Sequence, residues 1–219
     1  MLLMNTLKPD ECRVLGVLIE KAQTTPGQYP LTLNALVSGC NQKSNREPMT
    51  SLGEEDVLAA LDSLRAKQFA REVLLSGSRV GKYRHNAREG LVVETSELVL
   101  LAELLLRGPQ SVGELRGRAT RMHPLESIEV VETLLEGLIS RDPPLVRRLP
   151  PTPGTRAKRY TQLLCPDLHP VDVHPTPRTG SAGPASDLEE RVAALETDLA
   201  SLRLSVERLA GVPGRIPVE

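Results

Sequence analysis

The chain contains no tryptophan, one phenylalanine and three tyrosines among its 219 residues. With only Tyr29, Phe69, Tyr83 and Tyr160 as aromatics, it has few flat side chains on which unpaired bases could stack. Single-stranded nucleic acid is therefore not an expected ligand. Cysteine is scarce as well. Cys12, Cys40 and Cys165 are odd in number and far apart, with no C-x-x-C. That argues against a disulfide framework and for a reducing cytoplasm, with Cys12 and Cys40 as helix-packing residues. No apolar run reaches bilayer length, and Met1-Leu-Leu-Met4 is too short for a signal peptide. The words G-x-S-x-G, H-E-x-x-H and G-x-x-x-x-G-K-[ST] are missing, and no G-x-G-x-x-G follows a strand. Neither catalytic residues nor a cofactor are expected.

A strong excess of one charge is lacking too, although the formal net charge of −1 hides a gradient. Residues 1–90 hold 12 Lys/Arg against 10 Asp/Glu, residues 91–170 hold 10 against 10, and residues 171–219 hold 5 against 8. No block has a strongly basic footprint, so any phosphate binding must come from local clusters.

What the chain does have is a repeat. Gly77-Ser-Arg-Val-Gly-Lys-Tyr83 recurs as Gly154-Thr-Arg-Ala-Lys-Arg-Tyr160. Each copy closes a segment that begins with an apolar helix and passes through further ones. In the first, Pro9 with Asp10 and Glu11 suits a helix N-terminus, and Val14, Leu15, Leu18 and Ile19 share a face. A short helix follows at 32–38, with Leu33, Leu36 and Val37 inward. Ser51-Leu-Gly-Glu54 reads as a capping box for a third helix that buries Val57, Leu58, Leu61 and Leu64. Residues 70–75 and 80–85 read as strands around Ser76-Gly-Ser78.

The second copy repeats this order. Leu98, Leu101, Leu104 and Leu105 stripe a helix that stops at Gly108-Pro109, and Ser111-Val-Gly-Glu114 starts a short helix with Leu115. Val131, Leu134, Leu135 and Leu138 line a third helix, offset by 74 from its counterpart. Its hairpin runs over 145–149 and 157–164. Three helices and a two-stranded wing make a winged-helix domain. The expected fold is thus mainly α with small β-hairpins (α+β): two tandem winged-helix domains at residues 7–90 and 91–165, then a coiled-coil helix.

Residues 166–186 are rich in Pro, Gly, Ser and Thr and read as a linker. Over residues 187–210, Leu188, Val192, Leu195, Leu199, Leu202, Val206 and Leu209 recur at spacings of four and three. Branched residues at a with leucine at d favour a parallel homodimer, and Arg191–Glu196 and Asp198–Arg203 pair as g–e′ charges. One amphipathic helix lying on its own domain is the other reading.

Cys165-Pro-Asp-Leu-His169-Pro-Val-Asp-Val-His174 holds metal-ligating residue types, but at the spacing of no closed zinc site, and it reads as a solvated tail. His85 and His123 are single and read as surface or turn residues. The cations offer more. Arg71, Arg79, Lys82, Arg84 and Arg88 surround the first hairpin, and Arg147, Arg148, Arg156, Lys158 and Arg159 the second. Such cations straddle phosphates or enter a minor groove. The polar word Cys40-Asn-Gln-Lys-Ser-Asn-Arg-Glu-Pro48 supplies Lys43, Asn45 and Arg46 as further phosphate contacts. It also reads as local structure, with Asn41 and Asn45 as caps or left-handed turns. The third helices start with Glu54, Glu55 and Asp56, and with Glu126 and Glu129. These carboxylates suit the helix dipole but repel phosphate.

Gln28-Tyr-Pro-Leu31, the polar word, Leu104-Leu-Leu-Arg-Gly-Pro-Gln110, Gly113-Glu-Leu-Arg116, Arg121-Met122, Val146 to Leu149 and Arg159-Tyr160 together resemble the YceH family of uncharacterised bacterial proteins. The resemblance spans about residues 7–164. It implies two winged-helix domains and a link with DNA, and no catalytic residues. Met49-Thr50 and Gly53 depart from the family pattern. The expected function is a cytoplasmic, homodimeric protein that binds duplex DNA through paired basic wings, as a transcriptional regulator does. The alternative is a non-enzymatic protein-protein interaction scaffold, which suits the acidic third helices.

Overall fold

Helix α1 (Pro9–Thr24) starts where the sequence invites it. Pro9 occupies the first turn, and the Glu11 carboxylate accepts the Lys8 backbone N–H at 3.0 Å. Every residue from Glu11 to Glu20 is buried, so α1 is packed all round rather than striped. The computed structural model describes residues 7–74, 80–150 and 157–169. After α1 come α2 (Leu33–Cys40), capped by Thr32, and α3 (Glu54–Ala66). Strands β1 (Ala70–Val73) and β2 (Lys82–His85) pair antiparallel, and a short helix α4 (Ala87–Leu91) closes the first copy.

The second copy contains α5 (Thr95–Arg107), β3 (Gln110–Ser111), α6 (Val112–Ala119) and α7 (Ile128–Ile139), then β4 (Val146–Arg148) and β5 (Arg159–Gln162). Its sheet has the order β3-β5-β4. The first copy has the same third partner in reduced form. Leu31 makes a two-way antiparallel bridge with Tyr83, just as Gln110 pairs with Tyr160. Each copy therefore runs helix, short strand or bridge, helix, helix, strand, strand. The repeated tyrosines sit at the middle of each sheet with their rings buried, so they pack the hairpin onto the helices and are not offered to bases.

The two copies share one hydrophobic cluster. Val57, Leu61 and Leu64 of α3 and Val131, Leu135 and Leu138 of α7 fill matching positions within it. Such side chains stabilise the fold by about 1.5–3 kcal/mol each. The copies meet where α1 crosses α5. A Cβ added at Gly16 would lie 2.9 Å from Cγ and Cδ2 of Leu106, so the glycine sets how closely the helices approach. The 90/91 boundary thus marks a change of repeat within one continuous interior. The fold is mixed α+β with small antiparallel sheets, and no helix among the described residues is long and apolar enough to cross a membrane.

Several local expectations are corrected. Ser51 does not cap α3. The Asn41 amide ties down both the N–H and the carbonyl of Leu52, which leaves Ser51 ahead of the helix. Gly53 is the N-cap instead, and Asp56 accepts its N–H at 2.8 Å. Leu58 is exposed and Ala60 is buried, because a residue next to Val57 is turned about 100° away from its face. Leu134 is only partly buried. The strands of the first hairpin are shorter than expected, and Leu75 lies outside the described residues. The solvated tail does not begin at Pro166. Residues Pro166–Leu168 form a 3-10 turn, and Cys165, Leu168 and His169 are buried. Two ring atoms of His169 come within 3.0 Å of where a Gly108 Cβ would stand. Gly108 has φ +76, a conformation that also favours glycine.

Candidate nucleic-acid interface

The first hairpin places its cations by strand alternation. On β1 and β2, Arg71 lies directly opposite Arg84, and both are exposed. Tyr83 faces the core, and Glu72, its cross-strand partner, receives Arg65 at 3.6 Å. No carboxylate among the described residues lies within ion-pair distance of Arg71 or Arg84. Two like charges directly opposite each other destabilise a hairpin. Beside them, the Tyr29 hydroxyl accepts the His85 N–H at 2.6 Å. Burial pushes the Tyr29 hydroxyl up to about 12 against the pull of Arg84 and Arg71, so it keeps a proton to donate. Lys82 is half-buried, and Arg79 lies outside the described residues.

In the second hairpin Arg147, Arg148, Lys158 and Arg159 are all exposed. Arg159 donates to the Pro109 carbonyl at 2.7 Å. The other three have no carboxylate partner among the described residues. Arg156 and the leucine-lined segment from Leu188 to Leu209 lie outside the described residues.

The polar word divides. Lys43 is exposed, as a phosphate contact requires. Arg46 is not, and the expectation that it meets phosphate is corrected. Its side chain is 0% exposed. Its Nη2 donates to Glu20 Oε2 at 2.6 Å and to Gln42 Oε1 at 3.0 Å, its Nη1 to the Asn45 carbonyl at 2.8 Å, and its Nε to the Gly39 carbonyl at 3.0 Å. A guanidinium so fully bonded positions the loop on α1. Asn45 is half-buried with φ +62, and its side-chain oxygen accepts from Arg107. It too is a structural residue, and Asn41 clamps Leu52.

Glu20 belongs to a polar seam between the copies. Burial alone would raise its carboxyl, but Arg46 and Arg121 outweigh that and bring it down to about 2. Arg121 Nη2 reaches Glu20 Oε1 at 2.6 Å and Glu103 Oε1 at 2.8 Å. Glu20 on α1 and Glu103 on α5 each stand five residues before their helix C-cap, so one arginine joins equivalent carboxylates from the two copies. Arg107 Nε sits 3.0 Å from Glu103 Oε2, off the N–H direction, as an ion pair without a hydrogen bond. Arg118 donates to Gln110 Oε1 at 2.7 Å, and Gln110 in turn donates to the Glu103 carbonyl at 3.1 Å.

Sequence reasoning passed over Arg107, Arg118 and Arg121, because they lie outside both hairpins and one partner, Glu20, is on α1. The signal available was the pair of glutamates set inside apolar helices, since a buried carboxylate demands a cation. Exposed cations thus occupy both hairpins and the 41–46 loop.

A protein family described as "Protein of unknown function, DUF480" matches residues 7–155. The chain is 50% identical over 194 residues to the UPF0502 protein of Geobacter sulfurreducens, covering 88% of each. It is 56% identical over 161 residues to that of Geotalea daltonii, covering 73% of this chain and 72% of that one. Over 219 residues it is 46% identical to that of Pelobacter propionicus, covering 96% and 98%. With whole-chain likeness at this level, the chain belongs to this family of unknown function, the bacterial UPF0502 proteins.

Proposed function

We propose that the two copies are winged-helix modules that bind duplex DNA through their hairpins, and that the protein acts in the cytoplasm as a transcriptional regulator. The observation that carries this reading is the Arg71–Arg84 pair. Its two like charges face each other across the hairpin, with no carboxylate among the described residues in ion-pair range of either. Left alone the pair costs stability, whereas a phosphate backbone laid across it turns repulsion into attraction. The exposed Arg147, Arg148 and Lys158 offer a second such surface. Leu74 and Val80, both exposed towards the end of the first hairpin, suit a ribbon seated in a groove. The heptads of residues 187–210 pair two chains, and four hairpins per dimer offset weak single contacts by avidity.

The test is the anisotropy of a labelled random duplex titrated with full-length protein across a salt series. Log affinity should fall linearly with log salt, by about 0.9 for each phosphate neutralised. Arg71→Ala with Arg84→Ala should flatten that slope and weaken binding at least tenfold, as should Lys43→Ala with Lys82→Ala. An affinity that ignores both salt and these substitutions would sink the reading. A second reading, docking of a protein on α3, draws on one observation: Glu54, Glu55 and Asp56 are exposed beside the equally exposed Leu58. It expects no duplex affinity at low salt.

A further inference from the structure

The polar seam carries more cations than its carboxylates neutralise. Arg46, Arg107, Arg118 and Arg121 are bonded into Glu20, Glu103 and Glu114. Lys21 stands 3.6 Å from Glu20. Arg13 is fully buried, donates to the backbone carbonyls of Leu106 and Pro48, and lies within electrostatic reach of Arg46, Glu47 and Asp10. The four bonded arginines alone therefore meet three carboxylates. A surplus held partly out of water draws in an anion, because the local dielectric screens it poorly.

The seam also has donors to spare, and they lie at its open edge. Arg107, Arg118 and Arg121 have side chains 19%, 37% and 33% exposed. Arg121 spends Nη2 on both buried carboxylates and keeps Nε and Nη1. Arg118 spends Nη1 and Nη2 and keeps Nε. Arg107 keeps Nη1. Arg107 and Arg121 share the two oxygens of Glu103, and Arg118 is tied to the same residue's carbonyl through Gln110. Two guanidiniums thus meet on the Glu103 carboxylate, and both Arg118 and Arg121 lie within electrostatic reach of Arg107.

We propose that this cluster is a phosphate-binding site, in which Arg107, Arg118 and Arg121 hold a phosphate group over the buried carboxylates. Planar forked donors with fixed bases suit a tetrahedral oxyanion. The group belongs either to a free phosphate or phosphomonoester, or to a duplex backbone. The site shares no residue with the Arg71–Arg84 pair, so it stands or falls independently of the hairpin reading.

The experiment uses the full chain, wild type and Arg118→Gln, with Arg71→Ala/Arg84→Ala as a hairpin control. Arg118 is the residue to change because, among the described residues, its side chain hydrogen-bonds only to Gln110 and Glu114, and melting in chloride verifies that each variant folds. Inorganic phosphate is titrated against sodium chloride at matched ionic strength, followed by calorimetry and by the rise in melting temperature. A random duplex is titrated separately. Phosphate should bind the wild type and the hairpin control alike and bind Arg118→Gln about tenfold more weakly, as the loss of a charge-assisted hydrogen bond implies. Arg118→Lys should fall between them. If free phosphate is silent but Arg118→Gln weakens the duplex in the hairpin-control background, the proposal stands with the backbone as source. If phosphate does no more than chloride and Arg118→Gln leaves duplex affinity unchanged, the proposal is overturned.

Discussion

Replacing Glu20 by glutamine removes the carboxylate that Arg46 and Arg121 both grip, and its cost can be worked out in two ways. The Glu20 carboxyl is held at about 2, against 4.5 for the free side chain. A difference of that size contributes about 3 kcal/mol to stability at neutral pH. Breaking a buried ion pair on one side costs about 3–5 kcal/mol by a separate route, since Arg46 stays buried and uncompensated. The agreement is close enough to use. For an ordered region of this size each kcal/mol moves the melting temperature by about 2–4 °C, so Glu20→Gln should melt some 6–12 °C below wild type at pH 7. The pH dependence follows from the sign. A carboxyl depressed by folding stabilises fully above its unfolded value and loses that contribution as pH falls through its folded one. The gap between the two proteins should therefore be constant above pH 5, shrink below 4.5 and close near 2. Thermal melts followed by circular dichroism at six pH values are the assay. Equal melting temperatures at pH 7, or a gap unchanged down to pH 3, would refute the argument.

Arg46→Ala should behave as a core lesion, with several kcal/mol lost in urea unfolding and little direct effect on duplex affinity in molecules that remain folded; a pure loss of affinity at unchanged stability would contradict its placement. Gly16→Ala puts a methyl group 2.9 Å from Leu106 and should cost about 1–3 kcal/mol by overpacking; a neutral or stabilising result in denaturant titration would show that α1 and α5 can separate freely. Burial first, and Arg84 second, bring the His85 imidazole down to about 4. Because the unfolded chain takes up this proton at higher pH, stability should fall as pH drops from 6.5 towards 4, by at most about 1.4 kcal/mol per pH unit from this group. Proton NMR should find His85 still neutral at pH 5, and titration near 6.5 would count against its burial.

Sequence periodicity revealed the helices because their apolar faces are local facts. Val57, Leu61 and Leu64 recur at helical spacing and can face only one way. The motif tyrosines were legible for a similar reason, since a repeated aromatic inside an alternating strand belongs to the core. Arg46 was not. Its partner Glu20 is 26 residues away on another helix, and nothing in the polar word distinguishes a guanidinium turned inward from one turned to solvent. Ser51 misled because Ser51-Leu-Gly-Glu54 fits a capping box by residue type, while the true cap depends on the Asn41 amide holding Leu52. The arginine seam was hidden for a third reason. Arg107, Arg118 and Arg121 stand close in sequence, but the Glu20 carboxylate that Arg121 grips lies 101 residues away on α1, and a near-neutral total charge conceals the cluster. Leu168 and His169 were read as linker because two buried residues set no period.

Sharing an interior also limits how this gene can change. A fragment ending near residue 90, or one starting there, would carry the bare ridge of α1 or of α5, and each ridge is best covered by the other. Half-proteins of this kind should be sticky, and two of them could exchange halves to make a crossed pair. Evolution remains free to redraw the exposed faces of the hairpins, but the duplicated siblings can no longer be parted.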